Sequence, residues 1–413
     1  MSDIRNYAFV TAAYWVFTLT DGALRMLVLL YFHSLGFTPL DLAFLFLLYE
    51  AMGIVTNFLG GWLAAKYGLR MTLLAGLMLQ IIALLVMSAV RPDWLASFSL
   101  AYVMAAQALS GVAKDLTKMS SKSAVKLVVS VEAQGLLFHW GALLTGSKNT
   151  LKGFGFLLGG VMLNWLGFQV SMWSMAGTLG LVLAGLAMGF SGDLGKAKEI
   201  TRRDLFAKRW EINYLSAARV FLFAARDVWF VVGVKVFLYS ELGWSFTEVA
   251  AFMAIWVIGY GAVQAMAPRL LRSTHDISSA VRGAVRWGGI LAIIPGIMAL
   301  LLGSTFSTAL PPAMIVLAGI YLFGIIFALN SAIHSYLIVA FADRERVSMD
   351  VGFYYMANAV GRFIGTLLSG VVFQFHGLGA CLWVSATFVA MAVLLTLPLR
   401  QAEAVGSESE NLT

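Results

Sequence analysis

Apolar runs of about 20 residues recur from one end of this chain to the other, the length needed to cross a ~30 Å hydrocarbon core as a helix. Residues 9–31, 72–90, 173–190 and 382–399 are examples. Lipid offers the backbone no hydrogen-bond partner, so runs of this kind must be helices that satisfy their own peptide groups. Composition agrees, with 60% of the 413 residues hydrophobic and 12% charged, against about 25% charged in soluble domains. Forty glycines against seven prolines suit helices that pack closely in lipid. The fold class is all-α and polytopic. Residues 1–7 are polar, and the run after them is too long for a signal-peptide core and lacks a cleavage site, so the first helix is expected to be retained. Cys381 is the single cysteine, which excludes an intrachain disulfide and a clustered-thiolate metal site.

Twelve spans are expected, at 8–32, 40–65, 71–90, 97–118, 137–166, 169–190, 212–239, 246–267, 287–304, 312–341, 349–375 and 378–399. With these spans, Arg5, Lys66, Arg70, Lys122, Lys126, Arg269, Arg272, Arg282, Arg286, Arg344, Arg346 and Arg400 share one side of the membrane with the basic run 196–209, and the opposite loops keep only Arg91. Basic residues mark the cytoplasmic face, so both termini are expected there. The long polar stretch 191–211 reads as a cytoplasmic linker. It divides the chain into an N-terminal half (1–190), a C-terminal half (212–400) and a short tail (401–413).

The halves repeat. KGFGFLLGGVMLNWLG at 152–167 aligns with RFIGTLLSGVVFQFHG at 362–377, pairing Lys152 with Arg362, Gly155 with Gly365 and Gly167 with Gly377. Asp21 in FTLTDGALR falls opposite Asp227 in FAARDVWF, and LGFTPLD (35–41) matches LGWSFTE (242–248). Two parallel six-helix copies resemble the major-facilitator plan, which holds substrate near the bilayer midplane. GWLAAKYGLR at 61–70 resembles the motif such transporters carry between helices 2 and 3, with Ala65 where an acidic residue is usual.

Ionisable side chains at membrane depth are costly and mark substrate or ion pathways. Nine basic residues fall within the spans: Arg25, Lys114, Lys118, Lys148, Lys152, Arg219, Arg226, Lys235 and Arg362. Four acids oppose them: Asp21, Glu50, Asp115 and Asp227. The excess of positive charge points to a multiply anionic cargo and argues against neutral sugars or cations. Lys148 and Lys152 share one face of their helix, as do Lys114 and Lys118. Arginine can grip a phosphate-like group through two parallel hydrogen bonds. Arg25, Lys148, Asn149, Lys152, Arg219, Arg226 and Arg362 are the candidate substrate-binding residues. Asp21, Glu50 and Asp227 are the candidate proton carriers.

Structural roles compete with these. Asp21 and Arg25, four apart, can neutralise each other, whereas the adjacent Arg226 and Asp227 are expected to point apart. Lys114, Lys118 and Lys235 can snorkel to the interface. Glu50 can serve a basic residue of another helix, and His334 can be a hydrogen-bonded core histidine. Asn330, Asn358 and Gln107 can orient substrate or pack helices.

Five of these segments carry a more specific likeness: FTLTDGALRMLV (17–28), MAAQALSGVAKDL (104–116), LTGSKNTLKGFGF (144–156), LSAARVFLFAARDVWFV (215–231) and WVIGYGAVQAMAP (256–268). Together they resemble the ArsJ-type organoarsenical efflux permeases along nearly the whole chain. That resemblance implies export of 1-arseno-3-phosphoglycerate from the bacterial inner membrane. Its functional partner would be glyceraldehyde-3-phosphate dehydrogenase, which makes that compound from arsenate. Transport of another organophosphate or organic anion fits the charges equally well. No metalloprotease, nucleophile-elbow or P-loop motif is present, so neither an enzyme nor an ATP-driven pump is expected. Nor are a cofactor or a nucleic-acid partner. The chain is expected to act as a monomer among membrane lipids, its transport driven by proton exchange.

Overall fold

The computed structural model describes residues 2–67, 69–128, 134–189, 209–271, 277–303, 311–342 and 347–400, with some helical side chains excepted. The expected linker and tail lie almost wholly outside these residues, as do the side chains of 61–69. In chain order the helices are α1 (Ser2–Ser34), α2 (Pro39–Tyr67), α3 (Leu69–Ser88), α4 (Ala96–Val128), α5 (Gln134–Gly189), α6 (Trp210–Phe230), α7 (Gly233–Val236), α8 (Phe246–Leu270), α9 (Ile277–Gly303), α10 (Pro312–Phe341) and α11 (Val347–Thr396). No strand occurs among the described residues.

Two helices are too long for one crossing. α5 has 56 residues and α11 has 50, where about 20 suffice. Each breaks at one glycine, Gly167 (φ 73°, ψ 177°) and Gly377 (φ 72°, ψ −173°). Only glycine takes that conformation without strain. These are the two glycines that the repeat sets opposite each other, so each copy places a hairpin bend at the same point. Counting each long helix twice, and taking α6 with α7 as one interrupted crossing, is consistent with twelve spans.

The break after α6 keeps its backbone satisfied. Chain turns at Val231 and Val232, and Ser369 Oγ of α11 accepts from the Val232 and Gly233 amides at 3.1 and 3.2 Å. Lys235 Nζ donates to the Val231 carbonyl at 3.0 Å. Freed peptide groups at membrane depth persist only with such partners. A five-residue π-helical turn, Phe237–Glu241, follows α7. α9 begins ten residues before the expected span, because Arg282 and Arg286 continue the helix beyond its apolar part; arginine is a good helix former. Large apolar side chains such as Trp165, Leu181 and Met188 point outward, the reverse of a soluble surface and the right one for lipid.

The chain forms two compact units. The first comprises Met1–Ile200 with Leu238–Ala265, so α8 joins α1–α5; the second comprises Thr201–Phe237 with Met266–Thr413. In the first unit α1 packs on α5, and α2 and α3 pack on α4. In the second, α6 packs on α11, and α9 packs on α10 and α11.

Candidate functional site

In the first unit the charges gather around Tyr49 of α2. Its ring is fully buried, and its hydroxyl donates to Asp21 Oδ1 at 2.5 Å. The Arg25 guanidinium and the Lys114 ammonium each lie 4.2 Å from the ring centroid, where the ring's negative face attracts cations. Arg25 Nη2 is ion-paired with Glu50 Oε1. Asp21 is therefore not the hydrogen-bonded partner of Arg25. Helix α2 supplies the carboxylate instead, which gives Glu50 the cross-helix role left open by the sequence. Asp115 of α4 takes Lys118 at 2.9 Å and Lys114 at 3.6 Å, and Lys118 also donates to Asn57 Oδ1 at 2.7 Å. The two lysines thus share an acid rather than standing unpaired on one face.

Lys148 and Lys152 lie half-buried on α5, and Lys152 Nζ stands 5.7 Å from the Phe156 ring centroid. Asn149, between them, donates to Gln264 Oε1 of α8 at 2.9 Å. Gly153, Gly160 and Gly261 line the same α5–α8 seam, whose close approach needs small residues.

In the second unit Asp227 of α6, 1% exposed, is shared by two arginines. Arg226 bonds Oδ1 at 2.6 Å and Arg362 of α11 bonds Oδ2 at 3.3 Å. The expectation that Arg226 and Asp227 point apart is corrected here: the flexible guanidinium curls back onto the neighbouring carboxylate, which also anchors α11. Arg219, two turns earlier on α6, is held otherwise. Its Nε donates to Asn358 Oδ1 at 3.1 Å, and its Nη1 to Ser331 Oγ and the Ser331 carbonyl at 3.1 and 3.4 Å. The rings of Phe223 and Tyr354 lie 4.0 and 4.9 Å from its guanidinium carbon. Lys235 is buried with its amine on the backbone, so it does not snorkel.

The structure therefore joins Arg25 with Glu50, and Arg226 with Arg362, and it seats Asn149 against α8. Tyr49, Asn57, Gln264 and Ser331 belong to these networks but carry no distinctive mark in the sequence. Tyr49 is one aromatic among 54, and only its position beside Glu50 hints at its role.

The Major Facilitator Superfamily model matches residues 10–338. The chain belongs to that superfamily. Solved major-facilitator structures share its fold at low identity. A bacterial homologue of the iron transporter ferroportin, outward-facing, superposes with a TM-score of 0.70 at 17% identity, covering 96% of this chain and 99% of that one. A D-xylose–proton symporter gives 0.71 at 14%, covering 96% and 97%. A POT family transporter in complex with a thioalcohol-conjugated peptide gives 0.69 at 13%, covering 95% of each chain. No curated protein sequence matches. This major-facilitator chain is a multi-pass membrane transporter rather than an enzyme.

Proposed function

We propose that the chain exports 1-arseno-3-phosphoglycerate from the bacterial cytoplasm by alternating access, with both termini on the cytoplasmic side. The observation that carries the anionic cargo is the surplus of cations held inside the spans. Arg25, Arg219 and Lys235 are buried and Lys148, Lys152, Arg226 and Arg362 half-buried, while the acids there are Asp21, Glu50, Asp115 and Asp227. Cations at that depth favour an anionic cargo over a neutral one. The arsenical identity rests on the resemblance of five charged segments to the ArsJ-type permeases. A phosphate ester at one end and an acyl arsenate at the other offer charge to more than one basic cluster. Pentavalent arsenic is also an oxyanion, which does not call for thiolates, and Cys381 is buried. Protons would travel on Asp21, Glu50 or Asp227, each of which holds a partner that it would release on protonation.

The test is arsenic accumulation in an arsenate-treated, arsenic-sensitive bacterial strain expressing the chain with or without added glyceraldehyde-3-phosphate dehydrogenase. Accumulation is expected to fall only when both are present. No change despite confirmed membrane expression would remove the arsenical cargo and leave the second reading, an exporter of another organophosphate or organic anion.

A further inference from the structure

We propose that Arg219 seats one oxyanion group of the transported molecule, in a cradle completed by Ser331, Asn358 and His334. The inference rests on the anion-transport reading and selects, among the buried arginines of the spans, one that meets only neutral groups among the described residues.

Five basic residues in the spans share three carboxylates: Arg25 has Glu50, Lys114 and Lys118 have Asp115, and Arg226 and Arg362 have Asp227. Arg219, 4% exposed, meets only neutral groups. Its partners are an amide oxygen, a hydroxyl, a backbone carbonyl and two aromatic faces, and no carboxylate pairs with it among the described residues. A buried guanidinium without a counter-ion is expensive, and ring faces recover only part of that cost. The arrangement positions the side chain firmly without neutralising it.

The donor geometry says how a ligand would fit. The hydrogen bonds of Arg219 run from Nε and Nη1, which leaves Nη2 as the edge for an incoming oxygen. Asn358 of α11 and Ser331 of α10 fix the plane of the fork, and a fixed planar fork suits phosphate, arsenate or carboxylate oxygens. His334 lies one turn beyond Ser331 on α10. It is 1% exposed, one turn from the hydroxyl that Arg219 holds, and its Nδ1 has no hydrogen-bond partner among the described residues. As the Nδ1–H tautomer it can donate to a second oxygen of the same group. A buried polar atom without a partner beside an uncompensated cation is what a site awaiting an anion contains.

The experiment uses the purified full-length chain in nanodiscs and reads melting temperature with and without 3-phosphoglycerate, glycerol 3-phosphate or glycerate. Wild type is expected to gain stability with 3-phosphoglycerate. Arg219→Gln should melt at or above wild type without ligand, since it removes an uncompensated charge, yet lose the ligand-induced shift. Arg219→Lys keeps the charge and loses the fork, so its affinity should fall by about tenfold or more; His334→Gln should weaken binding by a smaller factor. A shift with glycerol 3-phosphate alone assigns the phosphate end to Arg219, and one with glycerate alone assigns the carboxyl end; either supports the cradle. An Arg219→Gln protein that melts below wild type or fails to fold marks Arg219 as structural and overturns the inference. An Arg219→Gln protein that keeps the full shift does the same while leaving anion transport standing. Absence of any shift in wild type would sink the anion reading itself.

Discussion

Gly155 of α5 meets Leu19, Gly22 and Ala23 of α1, and Gly365 of α11 meets Ala224 and Asp227 of α6. These are the same helix crossing in the two copies, one in each unit, yet the first has a glycine where the second has an acid. A Cβ on Gly22 would lie 2.7 Å from the Lys152 carbonyl, and one on Gly365 would lie 2.7 Å from Asp227 Cβ. The alignment that sets Asp21 opposite Asp227 therefore matches letters one residue away from the packing register, in which Gly22 and Asp227 are equivalent. That single step re-aims the acid. Asp21 faces α2 and takes the Tyr49 hydroxyl, whereas Asp227 sits in the crossing and takes Arg362. Duplication kept the backbone contact and let the charges diverge, so symmetry-related basic residues need not do the same work.

The sharpest break of this comparison is in transport. Lys152 and Arg362 are repeat mates, and replacing either by alanine is expected to abolish export while the protein still inserts in the membrane. Efflux from vesicles checks this, and normal export by either variant would end the view that the pair acts on the cargo. Stability should separate them. Arg362→Ala leaves Asp227 with Arg226, so it should cost less than loss of the shared acid. Asp227→Asn strands two arginines at once, and removing one partner of a buried ion pair costs about 3–5 kcal/mol. Thermal unfolding in detergent should show it as the largest stability loss of the charged positions; a wild-type melting temperature would mean that the arginines find other counter-charges.

Next in size comes the equivalent change in the first unit. Glu50→Gln removes the carboxylate paired with Arg25, but the Asp21 charge still acts on that arginine, and an amide oxygen can still accept from the guanidinium. The loss should be about 1–3 kcal/mol, below that of Asp227→Asn. Equal losses would show that the two networks bear equal strain and that the offset of one residue has no energetic consequence.

The helices and the repeated bend were legible because lipid imposes length and composition on every span, and because hairpin glycines such as Gly167 and Gly377 leave a letter behind. The set of candidate charges was legible too, since charge at membrane depth stands out against apolar sequence. Pairing was not. Whether Arg25 turns to Asp21 on its own helix or to Glu50 on α2 depends on helix rotation, which spacing within one helix does not contain. Arg226 and Asp227 failed for the opposite reason: helical geometry separates neighbouring side-chain directions by about 100°, but a long guanidinium can bend back across that angle. Ser331 and Asn358 are ordinary polar residues in apolar runs, and only the fold brings them to Arg219.

The smallest expected effect concerns the other divergence between the copies. α1 runs unbroken to Ser34, while the crossing that begins with α6 breaks at Val231–Val232 and passes into α7. Ser369 supports that break by accepting two amides; its repeat mate in α5 is Gly159, which packs directly against Ala23 of the unbroken α1. One copy thus has a hydroxyl where the other has bare backbone contact, and the hydroxyl is needed only where amides have been freed. Ser369→Ala should cost about 1–2 kcal/mol, one buried acceptor lost to two donors, and amide exchange at Val232 and Gly233 should quicken relative to α6. Ser369→Gly, which copies the first unit's residue, should behave like alanine rather than restore a continuous helix, because the valine run and Lys235 stay in place. A variant that exchanged slowly at these two amides would show that the break holds itself and that Ser369 merely fills space.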